Sequence, residues 1–256
     1  GEKEHAGVAY EAWCGGVDIV KDDENLSSMV FNPFERRIKE TLKMRDRAEK
    51  ETGEKKIYMP NITSETREML RRAKIVRDAG GEYIMVDILT AGWAALQTLR
   101  DADLGLVIHA HRAGHAAFTR YRLHGISMAV IAKVARLVGV DQIHIGTFGV
   151  GKMEGTPEEE LRTQKALVEE LEHLKSVLSV ASGGLHPALV GRLLKISGND
   201  IVIQAGGGIH GHPGGTGKGA MAMRQAVDAV MEGSSITEYA KTHKELEDAI
   251  SHWGTA

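Results

Sequence analysis

The sequence predicts an α/β fold of the TIM-type (β/α)8-barrel class, and three observations carry that prediction. The chain has 256 residues, about the length of one such barrel and enough for a large core. Short apolar runs alternate with longer segments of helical period at roughly 30-residue spacing, which reads as right-handed βαβ units around a parallel sheet. Polar and glycine-rich motifs follow the apolar runs directly. They therefore project from the carboxyl end of the strands, where barrels keep their active sites.

The strand candidates are Val17–Lys21, Ile57–Asn61, Tyr83–Asp87, Leu106–His111, Gln142–Gly146, Val177–Ser182 and Ile201–Gly206. Between them, Glu35–Glu51 is charged with apolar Ile38, Leu42 and Met44, and Glu65–Ala79 carries Met69, Leu70, Ala73 and Val76 at helical spacing. Leu161–Lys175 places Leu161, Leu167, Val168, Leu171 and Leu174 on one side. Thr63 or Ser64 is expected to cap the second of these helices, and Thr156-Pro157 to open the third as a cap followed by proline at the first helical position. The chain opens on a helix with Ala6, Ala9, Tyr10 and Trp13 as its apolar stripe, and further helices are expected over Ala220–Met231 and Ile236–Trp253. No linker or low-complexity tract divides residues 1–256, so one domain is expected. Seven strand candidates fall one short of a closed barrel.

A formal net charge of −3 and a hydrophobic fraction of 42% describe an ordinary soluble protein without a broad basic face for nucleic acid. One cysteine, Cys14, excludes an intrachain disulfide, favours a reducing compartment and is expected to be a small buried residue. No apolar run approaches a membrane span and the first residues are polar, so a cytoplasmic location is expected.

The run Val17-Asp18-Ile19-Val20-Lys21-Asp22-Asp23-Glu24 is the most informative in the chain. Strand alternation puts Lys21 and Asp23 on one face, with Glu24 turning in and Asp22 pointing away as a support. Such hard oxygen ligands at a strand end suit Mg²⁺. An amine among them repels a cation unless it is neutral and has taken up CO₂ as a carbamate, which adds an anionic oxygen. The alternative is a solvated acidic loop. His109 and His111 share a strand face, and three histidines and an arginine (His109, His111, Arg112, His115) fall within seven residues. Arg112 offers a guanidinium suited to a phosphate. Gly149, Gly151 and Gly155 bracket Lys152, as suits a lid that closes over substrate, or a plain glycine-rich turn. Ser182-Gly183-Gly184 and Gly206-Gly207-Gly208 follow the last two strands, where barrels bind phosphate through backbone N–H groups. Two phosphate cradles on opposite sides of one metal describe a bisphosphorylated sugar.

The Lys21-Asp22-Asp23-Glu24 run resembles the activation motif of the large subunit of ribulose-1,5-bisphosphate carboxylase/oxygenase (RuBisCO). The resemblance continues in order through His109-Ala110-His111-Arg112-Ala113-Gly114-His115 and the Gly146–Gly155 loop, then Ala181-Ser182-Gly183-Gly184-Leu185-His186-Pro187 and Gln204-Ala205-Gly206-Gly207-Gly208. It spans about Tyr10 to Gly217 and is most similar to the archaeal form III enzymes.

The resemblance implies Mg²⁺ held by carbamylated Lys21, Asp23 and Glu24. It implies His111 moving protons beside the reacting carbons, Lys152 stabilising the new carboxylate, and His144 joining Arg112 at one phosphate. Ser182, Gly183, Gly184, Gly206 and Gly207 would hold substrate and its other phosphate, with His115 as outer support and His109 packing or orienting. The implied reaction adds CO₂ to ribulose 1,5-bisphosphate to give two 3-phosphoglycerates, with O₂ as competitor, in nucleoside-phosphate salvage and in a homodimer or higher homo-oligomer. The family's first barrel strand, with a Lys-Pro-Lys motif supplying the base, and its N-terminal α+β domain have no counterpart in these 256 residues. The expectation is therefore of strands two to eight, incomplete as a working enzyme. A RuBisCO-like enolase or isomerase of sulfur salvage, or a truncated barrel that binds metal or phosphate without turnover, are the rival readings.

Overall fold

In the computed structural model, which describes residues 1–121, 123–152 and 155–254, seven parallel strands run in sequence order with helices between them. They are β1 (Ile19–Lys21), β2 (Ile57–Met59), β3 (Tyr83–Asp87), β4 (Val107–His111), β5 (Gln142–Gly146), β6 (Leu178–Ser182) and β7 (Ile201–Gln204). β1 pairs with β2, and β3 through β7 form a five-stranded sheet. The two sheets meet at one bridge, Asn61 to Met85, where the Met85 N–H donates to the Pro60 carbonyl and the Ile62 N–H to that of Met85. Pro60 lacks an N–H, so the ladder is interrupted there.

All seven expected strands form, β3 and β5 with the expected bounds and the other five trimmed by a residue or two. β1 and β7 do not pair with each other among the described residues. A groove of about 670 Å³ separates them, lined by Val17, Ile19 and Lys21 on one side and Ile201, Ile203 and Ala205 on the other. The architecture is thus an α/β arc of parallel strands with two free edges.

Strands with β-branched residues on both faces bury on both sides, as parallel strands under helices must. Ile84, Val86, Ile108, Ala110, Ile143, Ile145 and Ala181 pack with Trp13, Ile38, Leu42, Met69, Val76, Leu96 and Ile131 from the helices in one core. A second cluster, Val190, Leu194, Ile209, Met223 and Leu246, lies under the last helices.

Several local expectations are corrected. Cys14 is exposed, because Ala9, Ala12 and Trp13 take the buried face of the opening helix. Tyr10 of the predicted stripe is half-buried and its hydroxyl donates to Glu51. The Thr66–Asp78 helix is capped by Glu65, whose carboxylate accepts the Arg67 and Glu68 N–H groups, rather than by Thr63 or Ser64. The expected helix to Lys175 stops at Val168. Leu161 and Val168 face solvent there, whereas Leu167 is buried as expected, together with Glu160, Thr163 and Ala166. Thr156 caps that helix as expected. The C-terminal helical segment is broken, with Ile236–Tyr239 and Lys244–Trp253 separated by a 3₁₀ turn, Ala240–Thr242, and an extended His243.

Candidate active site

The carboxyl ends of β1 to β6 bring most of the expected residues to one rim, in two unlike groups. At the end of β1, Lys21 is half-buried and its ammonium donates to the Asp22 carbonyl at 2.6 Å. Burial pushes the Lys21 amine below its ordinary value, against the opposing pull of Glu24, Asp22, Asp23 and Asp87. A depressed amine pKa enlarges the neutral fraction that can react with CO₂. Asp23 is exposed, one of its oxygens accepting the Asn25 backbone and side-chain N–H groups. Glu24 reaches inward to 3.8 Å from His111 Nε2.

Asp22 does point away. Its carboxylate is buried and accepts from Arg37 Nε (3.0 Å), the Tyr58 hydroxyl (2.7 Å) and the Asn61 N–H (3.1 Å). His5 Nε2 lies 3.1 Å from it, outside hydrogen-bonding geometry. Burial raises the Asp22 pKa, but His5, Arg37 and Tyr58 together outweigh burial and hold it below the usual carboxylate value.

The second group is histidine-rich. His109 is buried, with Nδ1 3.1 Å from Gln142 Oε1 and Nε2 2.7 Å from His144 Nε2. His144 Nδ1 lies 2.6 Å from the Ser182 hydroxyl. Burial drives the His109 pKa down to about 3 and that of His144 well below 6.5, so both rings are neutral. With Gln142 Oε1 as acceptor, neutrality assigns every proton in this chain. His109 Nδ1–H donates to Gln142, His144 Nε2–H donates to His109, and the Ser182 hydroxyl donates to His144.

His111 stands beside this chain, its ring centroid 4.6 Å from that of His144. Its Nδ1 lies 2.7 Å from Asp87 Oδ1 at the end of β3. Nδ1 donates to that carboxylate, and Nε2 faces Glu24. Asp87 is the partner that sequence reasoning missed. Its signal was available, since it is the polar residue ending a strand, as in every motif that was recognised. Gln142 and Asn61 were missed too, because the first begins its strand and the second follows a proline.

Arg112 is buried, donates to the Ile145 carbonyl at 3.0 Å and has its pKa lowered to about 10 by burial. It does not hydrogen-bond His144, the partner expected at a shared phosphate. His115 bonds the Thr119 hydroxyl at 2.9 Å, and burial, then Arg112 and His111, lower its pKa to about 4.

Lys152 is exposed at the tip of its loop, and its backbone N–H donates to the Gly183 carbonyl at 3.0 Å. The loop leans on the Ser182-Gly183-Gly184 turn so closely that a Cβ on Gly151 would strike the Gly183 carbonyl, and one on Gly184 the Lys152 side chain. Its base turns through positive φ at Phe148 and Gly149, where the buried Glu160 carboxylate accepts the Phe148 N–H. Met153 and Glu154 of this motif lie outside the described residues. Gly206 and Gly207 open a short helix, Gly207–His210, at the end of β7.

Among the described residues no three His, Cys, Asp or Glu side chains converge as a ready metal site. Asp23 and Glu24 supply two oxygen donors beside Lys21. The donor set fits Mg²⁺ when the Lys21 amine carries a third anionic oxygen.

A family model for the ribulose bisphosphate carboxylase large chain, catalytic domain, matches residues 1–253. The chain belongs to that family. It is 53% identical to the ribulose bisphosphate carboxylase of Methanocaldococcus jannaschii, covering 98% of this chain and 62% of that protein. With that of Pyrococcus abyssi the identity is again 53%, over 98% of this chain and 60% of the relative. The octameric RuBisCO of Pyrococcus horikoshii OT3, solved in complex with sulfate ion, superposes with a TM-score of 0.96 at 52% identity, over 99% of this chain and 60% of that one. The dimeric archaeal RuBisCO of Hyperthermus butylicus gives 0.92 at 46% identity, over 100% and 63%. The chain thus spans about three-fifths of the length of these relatives. No helix among the described residues is long and apolar enough to cross a membrane.

Proposed function

We propose that this chain forms the catalytic barrel of a ribulose-1,5-bisphosphate carboxylase, adding CO₂ to the bisphosphate and cleaving the product to two 3-phosphoglycerates, with O₂ competing. The observation that carries the reading is the meeting, on one rim, of a pKa-depressed lysine among carboxylates with a neutral histidine chain and a lysine-tipped loop. Lys21 as its carbamate, Asp23 and Glu24 would hold Mg²⁺, which supplies Lewis-acid polarisation of a ketone when bound.

The chain's own residues then divide the work. His111, its tautomer set by Asp87, presents Nε2 to take and return protons. Lys152 offers a positioned ammonium to the carboxylate that forms from CO₂. Arg112 and His144 hold one phosphate, Arg112 by giving up the Ile145 carbonyl and His144 by turning its Nε2–H from His109 to a phosphate oxygen. Ser182 and the N–H groups of Gly183, Gly184, Gly206 and Gly207 hold the other. Form III-type nucleoside-phosphate salvage is the metabolic setting this reading favours.

The groove between β1 and β7 is the seat we assign to an eighth strand that closes the barrel, and with it the family's base lysine. Exposed Met29, Val30 and Phe31 after β1, and Phe118, Tyr121, Leu123 and Ile126 after β4, support self-association at this end of the molecule. The open groove also favours a second reading, a barrel portion that binds metal and phosphate without turnover. Bisphosphate-dependent fixation of ¹⁴CO₂ separates the two. Label in 3-phosphoglycerate, raised by orders of magnitude when a Lys-Pro-Lys strand segment is supplied in trans, supports the carboxylase. Binding of bisphosphate with no fixation under either condition leaves the scaffold reading.

A further inference from the structure

Asn61 occupies the junction between the two sheets, and its N–H and both ends of its side-chain amide are used. Its N–H donates to Asp22 Oδ2 (3.1 Å), its side-chain NH₂ donates to the carbonyls of Asp23 (3.3 Å) and Glu24 (2.8 Å), and its Oδ1 accepts the Thr63 N–H (2.9 Å). The amide orientation is fixed, because a carbonyl can only accept and a backbone N–H only donate. Asn61 has no exposed surface. The other flank of the same turn is held by Arg37, also fully buried, which donates to Asp22, to the carbonyls of Asn32 (3.0 Å) and Ser27 (2.7 Å), and at 3.4 Å to that of Leu26. The turn carrying Asp23 and Glu24 is therefore gripped by its backbone, while the Asp23 carboxylate accepts the Asn25 N–H groups and that of Glu24 lies 3.8 Å from His111 Nε2.

We propose that Asn61 is the positioning residue of the metal site, fixing the Asp23 and Glu24 backbone so that their carboxylates and Lys21 meet around one cation. The proposal rests on the metal-site reading above. Aspartate in its place would set a carboxylate oxygen against two carbonyls, serine would not reach them, and leucine would fill the space without donating.

The test uses Mn²⁺ as probe, its free concentration followed by electron paramagnetic resonance with and without bicarbonate, in the wild-type protein and in Asn61→Leu and Asn61→Ser. Sulfate affinity and Tm are measured alongside. Bicarbonate-dependent Mn²⁺ binding in the wild type, weakened about 10–100-fold in the variants with sulfate affinity unchanged, is the expected result. Unchanged Mn²⁺ affinity in a folded variant overturns the proposal. Mn²⁺ binding by the wild type that ignores bicarbonate overturns the metal-site reading instead, and this proposal with it. Should neither variant fold, hydrogen exchange of the wild-type turn decides. Protection present before Mn²⁺ is added is expected, and protection that arises only on its addition overturns the pre-positioned turn.

Discussion

The two halves of the rim are built on opposite electrostatic plans. The histidine half is closed. Gln142, His109, His144 and Ser182 satisfy one another in a neutral chain, and Asp87 completes His111. The acidic half is open. Its buried member, Asp22, is paired with Arg37, while Asp23 and Glu24 share the single ammonium of Lys21, with Glu24 also facing His111. A closed network is finished by folding, whereas an open set of like charges is finished by a ligand. In the reading proposed above, activation belongs to the acidic half and the holding of proton positions to the histidine half.

The largest effect is expected at the Lys152 loop, which leans on the Ser182-Gly183-Gly184 turn. Lys152→Ala should lower carboxylation by about 10²–10³-fold while bisphosphate affinity stays nearly intact, because the ammonium is assigned to the forming carboxylate. A rate within a few-fold of wild type would take Lys152 out of the mechanism. Next, Asp87→Asn should cost about 10²-fold in kcat with little change in KM, since an amide no longer fixes His111 with Nε2 as acceptor. A change confined to KM would reassign Asp87 to substrate binding.

The closed half also has a pH signature. His109 is neutral in the fold down to about pH 3 but titrates near 6.5 when unfolded. Between those values the unfolded chain binds the extra proton, so stability is full above about pH 6.5 and falls as pH drops, by about 1 kcal/mol per pH unit for this one group. Urea melts from pH 7 to pH 5 should show the decline, and His109→Gln should flatten it. A decline just as steep in that variant would place its cause elsewhere. The smallest effect belongs to exposed Cys14. Cys14→Ser should shift stability by less than about 0.5 kcal/mol and leave both halves unchanged.

Sequence patterning revealed the strands because each is a β-branched run with a polar end, and it revealed the acidic half because its residues are contiguous from Lys21 to Glu24. The histidine half was legible only in part. His109, His111 and His144 stand out singly, but their partners Asp87 and Gln142 come from neighbouring strands, and pairing across strands depends on register that a local pattern does not carry. The Thr66–Asp78 cap was misplaced because Glu65, an uncommon cap type, follows two ordinary ones. Leu161 and Val168 were misassigned because the buried face of their helix is built around Glu160, a carboxylate that the Phe148–Gly149 turn draws inward.

Lys21 carries the activation chemistry proposed above. Exposure of the protein to ¹³CO₂ with Mg²⁺, followed by ¹³C NMR, should yield a lysine carbamate resonance that strengthens with Mg²⁺ and is absent from Lys21→Ala. Tight octahedral Mg²⁺ binding by Lys21→Ala in bicarbonate-free buffer, or a carbamate signal that survives the substitution, would contradict it.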